Sequence, residues 1–209
     1  ASSCYIFPRF GFLAYVERNF KNYNVINKIG LGKRPSTPFK WTGEFKNNQP
    51  IIADHIMENI FNKPNAKAGL SGCVLNLQAG QGKSFLATGL IEKIQRKTLV
   101  ICHNKTIMYQ WIDILRAAYP NNTVAHYYGG GKKNDGDIVV GIINSLLTSP
   151  MHNIDGVVEP RNFYKKFGYV ILDEVHEYVS KSRKVIYQLA QSTYMLGLSA
   201  TPDERVDGL

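Results

Sequence analysis

A chain of 209 residues has room for one medium domain, or for one domain with an appendage. Its 44% hydrophobic and 20% charged content excludes a disordered chain and fits a soluble globular one. The 25 basic and 16 acidic residues leave a formal charge of +9, which fits an anionic partner such as nucleic acid as readily as plain solubility charge.

Cys4, Cys73 and Cys102 are scattered, with no C-x-x-C pair. That argues against a disulfide scaffold or a zinc site and for a reducing compartment. No apolar run approaches the ~18 residues of a membrane span. The stretch Cys4–Val16 is interrupted by Pro8, Arg9 and Gly11, unlike a secretory signal. The expectation is a soluble intracellular protein of cytosol, nucleus or virus particle.

Residues 1–38 read as an N-terminal extension. A short aromatic β-prone stretch at Cys4–Leu13 precedes a short helix over Ala14–Tyr23, then a basic linker punctuated by Gly30, Gly32, Pro35 and Pro38. From Phe39 to Leu209 the pattern becomes regular. Pro50–Phe61 is expected to be a helix, with Ile51, Ile52, His55, Ile56, Asn59 and Ile60 in spaced rows and Pro50 in its first turn. Val74, Leu75 and Leu77 form an apolar strand, and Phe85, Leu86, Ala87, Leu90 and Ile91 a helix.

Thr98–Cys102 is a wholly apolar strand of the buried parallel kind. Thr106–Tyr119 is a helix with Ile107, Trp111, Ile114 and Leu115 on one face. Val124–Tyr128, Asp137–Ile143, Tyr169–Leu172 and Tyr194–Ser199 are strands. Ser145 begins a helical turn, and Ser182–Ala190 is a helix. Strands alternating with helices imply an α/β fold with a parallel sheet.

Two stretches carry chemistry. Between the first strand and its helix lies Leu75-Asn-Leu-Gln-Ala-Gly-Gln-Gly-Lys-Ser84. Its residue types are those of a phosphate loop. Gly80 and Gly82 let backbone N–H groups curl round an anion. Lys83 supplies a cation to the β- and γ-phosphates of ATP, Ser84 a hydroxyl for Mg²⁺, and the helix its positive end. Ala79 and Gln81 complete the loop. The general pattern G-x-x-x-x-G-K-[ST] has glycine where this chain has Leu77, so a plain glycine turn is the competing reading. The second stretch is Val170-Ile-Leu-Asp-Glu-Val-His176, an apolar strand that delivers Asp173 and Glu174 at its carboxyl end, where ligands of open α/β sheets sit. Asp173 suits a magnesium ion and Glu174 an attacking water. Taken singly, either carboxylate is an ordinary loop residue.

With both stretches in hand, the chain resembles the first RecA-like lobe of a superfamily 2 helicase of the DExH type. Leu77–Ser84 is similar to that family's motif I, where glycine is not expected at the Leu77 position. Asp173-Glu-Val-His176 is similar to motif II, and Leu198-Ser-Ala-Thr-Pro202 to motif III. The resemblance implies a RecA-like fold with helices on both faces, ATP and Mg²⁺ as ligands, and a DNA or RNA track. It implies roles for Lys83, Asp173, Glu174 and His176 in hydrolysis, and for Ser199, Ala200 and Thr201 in coupling ATP state to nucleic-acid grip. Gln49 falls at the adenine-reading glutamine, with Phe39 or Trp41 as stacking surface, although Lys46 and Asn48 depart from the usual arginine and aromatic. His103, Asn104 and Lys105, Gly130 and Lys132, and Asn144 and Ser145 fall at backbone-contact segments, with Ile142 in place of a usual threonine.

Short strings, among them Tyr5–Phe12, Lys97–Cys102 and Asn104–Trp111, are similar to the transcript-release helicases of poxviruses and other large cytoplasmic DNA viruses. That implies transcription machinery as a partner and, for a viral protein, the host cytoplasm. A helicase of this family needs a second RecA-like lobe, so the chain up to Leu209 is expected to bind ATP weakly and hydrolyse it poorly by itself. A P-loop module or assembly ATPase without a nucleic-acid role, and an inactive interaction domain, remain the other classes open to the sequence.

Overall fold

The computed structural model describes residues 30–62, 71–78, 80–129, 131–132, 135–148, 152–154, 157–159, 163–178, 180, 183, 185–190 and 192–200. The aromatic stretch and short helix expected before residue 30 lie outside the described residues.

The centre is a sheet of β1 (Ser71–Asn76), β2 (Thr98–Cys102), β3 (Val124–Tyr128), β4 (Gly131–Lys132), β5 (Ile138–Ile142), β8 (Tyr169–Leu172) and β9 (Tyr194–Ser199). A separate antiparallel hairpin pairs β6 (His152–Ile154) with β7 (Val157–Glu159). The sheet order is β1-β9-β8-β2-β5-β3-β4, with every pairing parallel except β3 with β4. Parallel neighbours need crossovers, and helices supply them. α1 (Gln49–Ile56) runs on into a π-helical turn over Met57–Phe61. α2 (Lys83–Ile94), α3 (Lys105–Ala118), α4 (Ile143–Leu147) and α5 (Ile186–Leu189) come after it. Among the described residues no helix is long and apolar enough to cross a membrane.

Alternation along each strand feeds two cores. Val100, Cys102, Val140, Ile171 and Leu196 pack against Leu86, Leu90 and Ile91 of α2 and Met108, Trp111 and Leu115 of α3. Leu99, Ile101, Val139, Val170 and Met195 pack on the opposite side against Ile143 and Leu146 of α4 and Ile186 and Leu189 of α5. The sheet is therefore covered on both faces, which explains why β2, β5 and β8 are buried along their whole length.

Several expected details are corrected. Ile51 and Ile114 stand in apolar rows of the sequence yet are 70% and 39% exposed. The buried faces are Ala53 and Ile56 on α1, and Met108, Trp111, Ile112, Leu115 and Ala118 on α3. Val74 is exposed on β1, the outermost strand on that side of the sheet among the described residues. Of the helix expected over 182–190, the described residues show the segment Ile186–Leu189, while 182 and 184 lie outside them.

The basic linker is pinned to the sheet rather than free. Lys33 N–H donates to the Lys166 carbonyl at 2.7 Å, and its own carbonyl accepts from Lys97 N–H at 2.9 Å. Asp137, fully buried, takes hydrogen bonds from Ser36 N–H at 2.8 Å and Ser36 Oγ at 2.6 Å, and lies 3.5 Å from Lys97 Nζ. Burial pushes its carboxyl up, but the donors from Ser36, Asn122 and Thr123 outweigh burial and hold it below the usual range. The unfolded chain therefore binds the proton more tightly, and stability rises with pH through this group. Asp137→Asn is expected to cost roughly 2–3 kcal/mol at neutral pH. The wild-type protein loses that advantage as pH falls below about 4, so melts of the two proteins between pH 7 and 3 should converge at the acid end.

Candidate nucleotide site

Because β1, β9 and β8 are mutually parallel, the glycine turn after β1 and the acidic turn after β8 leave the same edge of the sheet. Asn76 at the end of β1 is in register with Ser199 on β9, and Leu172 at the end of β8 with Gly197. One strand lies between them, so the glycine turn and the carboxylate pair stand two inter-strand steps apart, roughly 10 Å. That spacing matches the size of a triphosphate with its ion.

The turn is built from its glycines. Gly80 and Gly82 have φ of 81° and 78°, the left-handed region that side chains with a Cβ rarely adopt. Gly82 is the N-cap of α2, so its backbone turns the chain directly into Lys83 and Ser84 at the helix start. Lys83 Nζ donates to the Leu77 carbonyl at 2.7 Å and the Gln78 carbonyl at 3.3 Å. The ammonium is thus held over the loop, where an anion would meet it. Ser84 is partly buried in the first turn of α2. Gln81 steadies the loop by accepting from Gln78 N–H at 3.2 Å. Ala79 lies outside the described residues.

Gln49 reaches this loop from the start of α1. Its amide nitrogen donates to the Gln81 carbonyl at 3.4 Å, and its oxygen accepts from Lys46 N–H at 3.0 Å. A Cβ on Gly82 would come within 2.5 Å of that amide nitrogen. The glutamine thus brings the segment before α1 against the phosphate turn. Of the two aromatics expected to offer a stacking surface, Phe39 is excluded. It is 2% exposed and packs edge-on against Tyr119 with ring centres 5.2 Å apart. Trp41 is partly buried, with ring centres 4.6 Å from Phe45 and 4.9 Å from Phe85.

Asp173 and Glu174 form the turn after β8. Asp173 N–H donates to the Ile101 carbonyl at 2.9 Å, and one carboxylate oxygen, Oδ2, accepts from Trp111 Nε1 at 2.8 Å. The thiol of Cys102 is pushed up to about 12 by its burial and by the neighbouring Asp173 charge, so it stays protonated beside the carboxylate. Glu174 has φ of 50°, a left-handed conformation that costs a non-glycine residue about 1 kcal/mol or more. Strain of this kind concentrates at functional sites. Its Oε2 is buried with no hydrogen bond. His176 Nδ1 lies 3.5 Å from that oxygen and 3.3 Å from the hydroxyl of Ser199, so the imidazole stands between the carboxylate turn and the end of β9. Gly197 makes room for this packing: a Cβ there would come within 2.9 Å of Val175. Ala200 follows Ser199 directly, and Thr201 lies outside the described residues.

The donors suit a magnesium ion completed by phosphate oxygens. Among the described residues no group of three or more His, Cys, Asp or Glu side chains is gathered to hold a metal alone. Magnesium does not require one, since it is usually bound by one or two carboxylates plus substrate phosphates and waters. Asp173 fits that pattern: Trp111 Nε1 takes up its Oδ2, while Glu174 Oε2 lies buried without a hydrogen bond and with His176 Nδ1 3.5 Å away, as suits a group that meets a water rather than the ion.

The expected nucleic-acid segments leave the same edge after β2 and β5. His103 is partly buried, and its Nδ1 has no hydrogen-bond partner. The side-chain oxygen of Asn104 caps α3 by accepting from Ile107 N–H at 2.9 Å, so that oxygen is committed to the helix. Lys105 Nζ sits 5.1 Å from the centre of the Tyr128 ring, over its face. Asn144 is exposed and Ser145 partly buried in the first turn of α4. Lys132 falls in the two-residue strand β4, and Gly130 lies outside the described residues. The contact the sequence did not show is Trp111 to Asp173: an apolar row marks a tryptophan as core but carries no sign of where its N–H points.

A glycine turn opening a helix and an acidic turn at one edge of a doubly covered parallel sheet define a P-loop nucleotide-binding lobe of the RecA-like kind. Residues 42–204 match the family model described as the res subunit of type III restriction enzymes. The chain belongs to that family, as the first RecA-like lobe of a superfamily 2 helicase. It is 41% identical over 141 residues to a protein of African swine fever virus that bears the name of a candidate ATP-dependent RNA helicase, covering 65% of this chain and 26% of the relative. A candidate helicase of Escherichia phage T5 is 36% identical over 138 residues, covering 66% of this chain and 28% of the relative. The chain therefore spans about a quarter of the length of these relatives. Among solved structures, the UvsW helicase of bacteriophage T4 superposes with a TM-score of 0.57 at 17% identity, covering 96% of this chain and 74% of that one. The SWI2/SNF2 ATPase core of Sulfolobus solfataricus, solved with double-stranded DNA, also gives 0.57, at 21% identity, covering 83% of this chain and 36% of that one. At these identities the two structures speak for the fold.

Proposed function

We propose that this lobe is the nucleotide-binding half of an ATP-driven motor on nucleic acid. The observation that carries it is the shared carboxyl edge: the loop holding Lys83 and the turn holding Asp173 and Glu174 are separated by the single strand β9. In this reading Gly80, Gln81, Gly82, Lys83 and Ser84 bind the triphosphate, with Ala79 in the same loop, and Gln49 borders the base. Ser84 and Asp173 hold the magnesium ion, which when bound neutralises charge on the phosphates. Glu174 orients the attacking water and accepts its proton. His176 carries the state of that carboxylate to Ser199 and through Ala200 to Thr201.

His103, Asn104 and Lys105, Gly130 and Lys132, and Asn144 and Ser145 line the track. Two of these segments leave the same edge of the sheet as the nucleotide loop, and the net charge of +9 favours a polyanion. The viral relative is named as an RNA helicase and the archaeal structure holds double-stranded DNA, so both tracks enter the test. The reading also includes a second RecA-like lobe closing on this one.

Binding of single-stranded DNA and RNA across 50–300 mM salt tests the track. A log–log slope steeper than about −2 is expected, with Lys105→Ala reducing it by about 1. Affinity indifferent to salt would remove the nucleic-acid role and leave a nucleotide-binding module. ATP turnover by the full-length protein, with and without each strand, tests the motor. Turnover that neither strand stimulates argues against it.

A further inference from the structure

We infer that Trp111 is a positioning residue for the magnesium-binding carboxylate, a role beyond its place in the core. The inference rests on the nucleotide-site reading. Trp111 is 2% exposed and seated in the α2–α3 core, so its ring has one orientation. Its Nε1–H donates to Asp173 Oδ2 at 2.8 Å, a charge-assisted bond at the short end of the N–H···O range. A carboxylate has about four acceptor positions. The indole occupies one and fixes the carboxylate plane, and among the described residues no hydrogen bond engages Oδ1.

Two further contacts brace the same turn. Asp173 N–H is tied to the Ile101 carbonyl at 2.9 Å, and the Tyr178 hydroxyl donates to that same carbonyl at 3.0 Å. Backbone and side chain of Asp173 are therefore held from different elements, and among the described residues only the indole bond reaches the carboxylate itself. Ligand carboxylates that are hydrogen-bonded from behind bind metal more tightly, because the cost of orienting them is met during folding.

α3 makes the bond more than local. Trp111 stands six residues after Lys105, about 9 Å along a rigid helix whose start carries the segment proposed to meet nucleic acid. A displacement of that helix end moves the indole, and with it the carboxylate.

The test uses the full-length protein and two substitutions. Trp111→Phe removes the donor and keeps an aromatic ring. Benzothienylalanine at the same position keeps the shape of the indole and replaces N–H by sulfur, so packing loss is separated from donor loss. The measurement is the affinity for adenylyl imidodiphosphate in EDTA and in 5 mM (about saturating) Mg²⁺. Both variants are expected to keep the EDTA affinity within about twofold and to lose roughly tenfold of the gain that Mg²⁺ brings, with half-saturation shifted to higher Mg²⁺. An unchanged Mg²⁺ gain in the sulfur variant overturns the inference, as does an equal loss with and without Mg²⁺. If the unsubstituted protein itself shows no Mg²⁺ gain, the nucleotide-site reading falls and this inference with it, an outcome told apart because it appears before any substitution.

Discussion

Lys83→Ala is expected to remove nucleotide binding while leaving the fold in place. In the folded lobe the ammonium makes two hydrogen bonds, to the carbonyls of Leu77 and Gln78, and no ion pair with a carboxylate appears for it among the described residues. Both carbonyls belong to the loop, and Gln78 is exposed. Water replaces the ammonium there at little cost, so stability should change by less than about 1 kcal/mol. Binding is another matter. A charged donor to a phosphate contributes about 1.5–3 kcal/mol, which is roughly 10–150-fold in affinity. Lys83→Arg should not restore it: the guanidinium is a planar fork, whereas the ammonium meets the two loop carbonyls as a compact point charge. Equilibrium binding of ATP beside a urea melt checks both halves. Undiminished affinity in Lys83→Ala would remove the loop from the nucleotide site.

How much of this was legible in the sequence depended on how each element meets its neighbours. β2, β3, β8 and β9 were readable to the residue. Three of them are buried strands between two helical layers, where both faces must be apolar, and a run such as Leu99-Val-Ile-Cys102 has few alternatives. The helices were readable as helices but not in their facing. α3 carries Ile107, Met108, Trp111, Ile112, Ile114 and Leu115, enough apolar residues to define more than one stripe, and packing on the sheet chose Met108, Trp111, Ile112 and Leu115. β4, β6 and β7 have two or three residues each, too few for a period-two pattern.

At the candidate site, Gly80, Gly82, Lys83, Asp173 and Glu174 stood out in the sequence only in combination, because a glycine turn or a carboxylate taken singly has ordinary structural uses. Gln49, which the resemblance implied as an adenine reader, is joined to the phosphate turn through a backbone carbonyl that no motif encodes. Of the two aromatics expected to offer a stacking surface, Phe39 is turned inward against Tyr119, an orientation the sequence does not mark. The link from His176 to Ser199 joins residues 23 apart through β9, a strand inserted between β1 and β8, and only topology makes them neighbours.

The largest effect on turnover should come from Glu174→Gln. Three observations bear on it together: the strained backbone at φ 50°, the buried Oε2 without a hydrogen bond, and His176 Nδ1 at 3.5 Å. The surrounding fold holds this residue against its backbone preference, and the geometry suits an oxygen that accepts a proton from a water at the γ-phosphate. The amide of glutamine keeps the shape and the neighbours but cannot take that proton. Hydrolysis by the full-length protein should fall by about 10³-fold, within the range that a positioned general base contributes. Nucleotide affinity should hold within about threefold, since an effect confined to turnover marks an interaction made only in the transition state.

The substitution should also lock the ATP-bound state. With hydrolysis stopped, the proposed motor should keep its grip on a single strand for as long as ATP is present, whereas the unsubstituted protein is expected to release it with each turnover. Filter binding of a labelled oligonucleotide with ATP, compared between Glu174→Gln and Lys83→Ala, separates the two roles: the first should retain the strand and the second should not respond to ATP at all. Equal turnover in Glu174→Gln and wild type would assign proton acceptance to another group, and the strain at residue 174 would then need a different cause.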